Sequence, residues 1–99
     1  MSIFYIKEQY MSDLTTLPNI GKVTSLMLKK IGINTAEEFL TRDPYEVFDE
    51  LIDEVDPTLC RCALASIVGA KQGKKWHTIT KQTTKHYENS HPGHKWINC

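Results

Sequence analysis

Beyond residue 12, apolar side chains recur at intervals of three and four residues, and nowhere do they alternate long enough to predict a strand. The cleanest stretch is Val47, Phe48, Leu51, Ile52 and Val55, one stripe of a helix whose opposite face is filled with acids. Asp43 followed by Pro44 supplies that helix with an N-cap and a first-turn proline. Asp56-Pro57 ends it and opens another, predicted over residues 58–71. There Leu59, Cys60, Cys62, Ala63, Leu64, Ala65, Ile67, Val68 and Ala70 cover most of the circumference. A helix apolar nearly all round belongs at the centre of a bundle. Gly73 stops it, and Lys71, Lys74 and Lys75 suit the negative end of its dipole.

Upstream, a short helix is predicted over 13–17, capped by Ser12 or Asp13 and closed before Pro18. A second runs over 22–31, with Val23, Leu26, Met27 and Ile31 as its apolar stripe and Gly32 as its stop. Thr35 and Glu38 form a capping box for a helix ending near Leu40. Trp76 is expected to close the core. A last helix over 78–90 is anchored by Ile79 and Tyr87, and His91-Pro92-Gly93 breaks it ahead of an exposed tail. The fold class is all-α: a small single-domain bundle of five to six short helices. Residues 1–11 read as an N-terminal extension, 12–80 as the helical domain and 81–99 as a C-terminal helix and tail.

The most informative segment is Leu17-Pro18-Asn19-Ile20-Gly21-Lys22-Val23-Thr24-Ser25, followed by an apolar helix and Gly32-Ile33. Asn and Gly tolerate left-handed backbone angles, so residues 19–21 predict a tight turn between two helices. The segment resembles a helix-hairpin-helix, in which Ser25, four residues after Gly21, is small enough for close helix approach. Such a turn directs the N–H groups of a helix N-terminus outward, ready for a phosphate oxygen. It grips nucleic-acid backbone and reads little sequence. The candidate binding residues are Asn19, Ile20, Gly21 and Lys22 in the turn, with Lys29 and Lys30 adding charge nearby. Asn19 departs from the DNA-gripping version of the motif, which prefers glycine at that position.

Gly-Ile-Asn-Thr-Ala-Glu-Glu-Phe-Leu over 32–40, the helix over 44–55, the apolar helix to Ala70 and Gly73-Lys74-Lys75-Trp76-His77 then follow in order. Over about residues 12–80 this resembles the C-terminal domain of the TfoX/Sxy family, bacterial proteins linked to regulation of natural competence. Gly21, Gly32, Gly73 and Trp76 are the most telling positions. The resemblance implies a helical domain opening on a helix-hairpin-helix, here as a standalone version of a domain that longer members carry behind an N-terminal one.

Composition refines this. The 99 residues have no net charge, with 12 basic and 12 acidic side chains. The balance hides segregation: residues 37–56 hold nine acids against Arg42 alone, whereas from residue 57 on there are seven bases, four histidines and only Glu88. A dipolar surface follows, unless the blocks face each other. DNA-binding domains usually carry a basic excess, so two readings stand: a module touching DNA backbone weakly and non-specifically, and a protein-interaction module using the acidic face at 43–56. No nucleophile–base pair, nucleotide fingerprint or calcium loop is present, so no enzyme activity and no cofactor are expected. Cys60 and Cys62 lie two apart on a predicted helix, cannot grip one ion, and are expected to be buried packing residues. His86, His91, His94 and Cys99 lack the spacing of a structural zinc site, so no metal is expected. No apolar run approaches a membrane span and no signal sequence opens the chain, which predicts a cytoplasmic protein away from membranes. No dimer seam is evident.

Overall fold

The computed structural model describes residues 13–97. The extension at 1–11, Ser12 and Cys99 lie outside the described residues. After a helical turn at Asp13 and Leu14 come α1 (Lys22–Lys30), α2 (Ala36–Leu40), α3 (Pro44–Glu54), α4 (Arg61–Gln72), a 3-10 turn (Trp76–Thr78) and α5 (Thr80–Ser90). The described residues contain no strand, so the fold is all-α, five helices in one compact domain.

The helix boundaries follow local hydrogen-bond chemistry. Gly32 takes φ 89°, and the pair Ile33 N–H to Leu28 O and Gly32 N–H to Lys29 O closes α1 as a Schellman motif. The capping box opens α2: the Glu38 N–H donates to Thr35 Oγ1, and the Thr35 N–H donates to Glu38 Oε1. Asp13 reaches across to the same end, its carboxylate accepting from the Ala36 N–H at 2.8 Å. Asp43 caps α3 through the Tyr45 N–H, and Gly73, at φ 72°, ends α4 with the Lys74 N–H donating to Gly69 O.

Two clusters make the core. The first is mainly aliphatic: Leu14, Ile20, Leu28, Ile33, Val47, Leu51, Ile67 and Ala70 around Phe39. The second is aromatic at its centre, with Phe48 and Tyr87 packed against Leu64, Ala65, Val68 and Ile79. α4 serves both, as its nearly all-apolar circumference predicts.

Five expectations need correction. The stripe of α1 is rotated: Val23 is 70% and Leu26 47% exposed, while Ser25 and Leu28 are buried. Ser25, small and facing inward, sets that rotation. α4 begins at Arg61 rather than residue 58, because Asp56 Oδ1 accepts from both the backbone N–H and the hydroxyl of Thr58. That local turn competes with helix, and leaves Cys60 as the N-cap and both Cys60 and Cys62 only half-buried. The helical turn after residue 12 ends at Leu14, with Thr16 and Leu17 N–H groups making i→i+3 bonds to Asp13 and Leu14. Trp76 does not plug the core; it is 39% exposed.

Candidate functional site

The turn before α1 is built by Asn19, at φ 68°, followed by Gly21 as N-cap in extended conformation. No side chain caps α1 and no acid lies in its first turn, so neither a capping oxygen nor a first-turn carboxylate faces its leading N–H groups. Gly21 itself has an ordinary negative φ of −99°, and a Cβ built on it would meet nothing within 4 Å. Neither backbone strain nor internal packing calls for glycine at this position.

Asn19 does more than turn the chain. Its Nδ2 donates to Lys74 O at 2.8 Å and Ser66 O at 3.4 Å, and its Oδ1 accepts from the Trp76 N–H at 3.2 Å. One side chain thus clamps the hairpin to the C-terminal end of α4 and the loop after it. The clamp needs Gly69, where a Cβ would sit 2.4 Å from Lys74 O and 2.7 Å from Asn19 Nδ2. Lys74, Lys75, Trp76 and His77 are thereby brought beside the turn, all of them exposed. The sequence signal for this was a lone glycine inside a strongly helical run, which often marks close backbone approach.

The predicted site residues separate into two groups. Asn19, Gly21 and Lys22 share the turn, with Gly21 and Lys22 exposed. Ile20 is 4% exposed and belongs to the first core, so only its backbone is available at the turn. Lys29 and Lys30 lie in the last turn of α1, about 10 Å along the axis from Lys22. There they complement the helix dipole.

The acidic and basic blocks partly face each other. Arg42 pairs with Glu50, and Lys71 Nζ donates to the carbonyls of Leu40 and Arg42. Asp49 accepts from the Tyr87 hydroxyl at 2.8 Å and lies 3.1 Å from His91 Nε2. Burial, that hydrogen bond and the charges of Asp49 and Asp53 push the Tyr87 phenol far above its ordinary range, so it stays a donor. Residues 91–97 are not a loose tail. His91 stacks on Tyr87 at 3.9 Å, His94 meets it edge-on at 5.1 Å, and Trp96 packs against Phe48 and Tyr87. These histidines are committed to ring packing. Among the described residues no three of His, Cys, Asp and Glu assemble as metal ligands would.

The family model described as TfoX C-terminal domain matches residues 10–89 of this architecture. The chain belongs to the TfoX C-terminal domain family. Membership supports a binding or regulatory domain in general terms. A similar relative is the mitomycin resistance protein McrB of Streptomyces lavendulae, 32% identical over 59 residues. That match spans 60% of this chain and 56% of the relative, so only about half of that protein is represented. The crystal structure of an uncharacterized protein from Listeria monocytogenes is similar, with a TM-score of 0.69 at 34% identity. It covers 82% of this chain and 94% of that one. The family match itself runs past the hairpin into α5, to residue 89. Among the described residues no helix is long and apolar enough to cross a membrane.

Proposed function

We propose that this chain is a non-enzymatic regulatory module that grips nucleic-acid backbone at the turn before α1, weakly and without sequence preference. The observation that carries the reading is Gly21: its φ is ordinary and no atom of the described residues lies within 4 Å of where its Cβ would be, yet it stands at an uncapped helix N-terminus. Glycine there keeps the backbone open to close approach from outside, as a phosphate oxygen requires. Lys22 in the turn, and Lys74 and Lys75 in the clamped loop, supply the charge that the neutral chain as a whole lacks. The family's association with competence regulation makes DNA the nucleic acid to test first. Anisotropy titrations of labelled duplex and single-stranded DNA at low and moderate salt test the reading. Saturable binding is expected, with a salt slope near −2 to −3 for two to three phosphate contacts on duplex, at roughly 0.9 each. Gly21→Ala and Lys22→Glu should each weaken it without loss of fold. Binding indifferent to both substitutions refutes the hairpin as the site.

A second reading has its own observation. Val23 and Leu26 stand exposed at 70% and 47%, three residues apart on α1. An exposed apolar pair beside the hairpin suits a protein partner. Val23→Ser with Leu26→Ser should then abolish partner capture and leave DNA affinity untouched.

A further inference from the structure

The basic side chains of the last third do not all gather at the hairpin. Arg61, at the start of α4, and Lys81 and Lys85, one turn apart on α5, line an open groove of about 530 Å³ with His77, Thr84 and Glu88. The groove begins one residue beyond Trp76, whose N–H is held by Asn19. Among the described residues its charged lining is Arg61, Lys81 and Lys85 with one carboxylate, and Glu88 Oε2 accepts from the Trp96 indole N–H at 2.9 Å. Trp96 also lies under the Arg61 guanidinium, 5.3 Å from ring centre to Cζ, which holds the cation at the groove wall. Lys81 and Lys85 have no ion-pair partner among the described residues.

We propose that the groove walled by Arg61, Lys81 and Lys85 is a phosphate-binding site, separate from the hairpin, that receives backbone phosphates of a nucleic acid running from the hairpin along α5. A flexible ammonium pair one helical turn apart and a planar guanidinium are groups that recognise phosphate oxygens. The same chemistry would accept a free polyphosphate. The nucleic-acid route rests on the hairpin reading; the phosphate site does not.

The test uses the full chain and a paired variant, Lys81→Gln with Lys85→Gln, both at exposed positions. Labelled DNA is titrated by anisotropy, and inorganic tripolyphosphate is titrated while the amide resonances of residues 80–85 are followed by NMR. Expected are a wild-type salt slope on duplex steeper by about 2 than the hairpin contacts alone give, that excess lost in the paired variant, and tripolyphosphate shifts in the 80–85 amides that the variant loses. Loss of DNA binding in this variant with none in Lys22→Glu would keep the groove and remove the hairpin. Tripolyphosphate binding without DNA binding would keep the phosphate site and remove the nucleic-acid route. An unchanged salt slope together with silent 80–85 amides would overturn the proposal, even if Lys22→Glu weakened DNA binding.

Discussion

Two faces of α4 rest on different kinds of core, Ile67 and Ala70 on one and Leu64, Ala65 and Val68 on the other. On the hairpin side, aliphatic side chains meet behind turns and caps, and most restraints are backbone hydrogen bonds within a few residues. On the other side, rings do the holding: Phe48 and Tyr87 meet edge-on at 5.3 Å, and His91, His94 and Trp96 close around Tyr87. The hairpin side leaves its working surface open and its apolar Val23 and Leu26 in solvent. The aromatic side folds the last described residues inward. The hairpin turn thus lies over the aliphatic core, while the aromatic core takes up Tyr87 with its acid partner Asp49 and the rings of residues 91–96.

The comparison breaks most visibly at Phe48. It is fully buried, so Phe48→Ala should cost about 3–5 kcal/mol by urea denaturation, through lost transfer energy and a cavity. A cost below about 1 kcal/mol would mean the aromatic side is not a packed core. Gly69→Ala comes next and tests the link between the hairpin and the loop after α4. Its Cβ would collide with a backbone carbonyl and the Asn19 amide, so a loss of about 1–3 kcal/mol is expected, with amide shifts in both the hairpin and the 74–76 loop. Asn19→Gly sharpens the same point. Glycine relieves the positive φ of 68° but removes the bonds to Ser66, Lys74 and Trp76. A net loss of about 1–2 kcal/mol says the clamp outweighs the strain; a gain in stability would reverse that ranking.

The smallest effect belongs to Tyr87→Phe, about 1 kcal/mol at neutral pH for the hydrogen bond to Asp49. Its pH dependence carries more information. The folded phenol titrates above the ordinary value of 10.0. The unfolded chain therefore loses this proton first, and the contribution is fully present below about pH 10 and declines as pH rises beyond it. Denaturation midpoints between pH 8 and 11 should fall more steeply for the wild type than for Tyr87→Phe. Parallel curves would place Tyr87 in an environment no different from unfolded tyrosine.

Much of the fold was legible because the deciding interactions are short in sequence. The Gly32 stop, the Thr35–Glu38 box, the Asp43 cap and the Gly73 stop each join residues within five positions. The hairpin turn was legible for the same reason. The rotation of α1 was not read from hydrophobicity, because Val23 and Leu26 are as apolar as the residues that are buried; Ser25 carried the cue through its size. The tail was read as exposed because rings spaced along 91–96 have no helical period, and only their stacking on Tyr87 makes them part of the core.

What the sequence determined by itself was the order of helices, their stops and the turn at residues 19–21, since caps, glycines at positive φ and apolar periodicity act locally. What only the tertiary structure decided was which charges share a surface. Asn19 meets Lys74 and Trp76 across 55 and 57 positions of chain, and Arg61 lines one groove with Lys81 and Lys85 across a helix pair. Such juxtapositions depend on how helices pack, on a Cβ missing at Gly69 and on a tryptophan folded back from residue 96. No pattern within a helical turn encodes those distances.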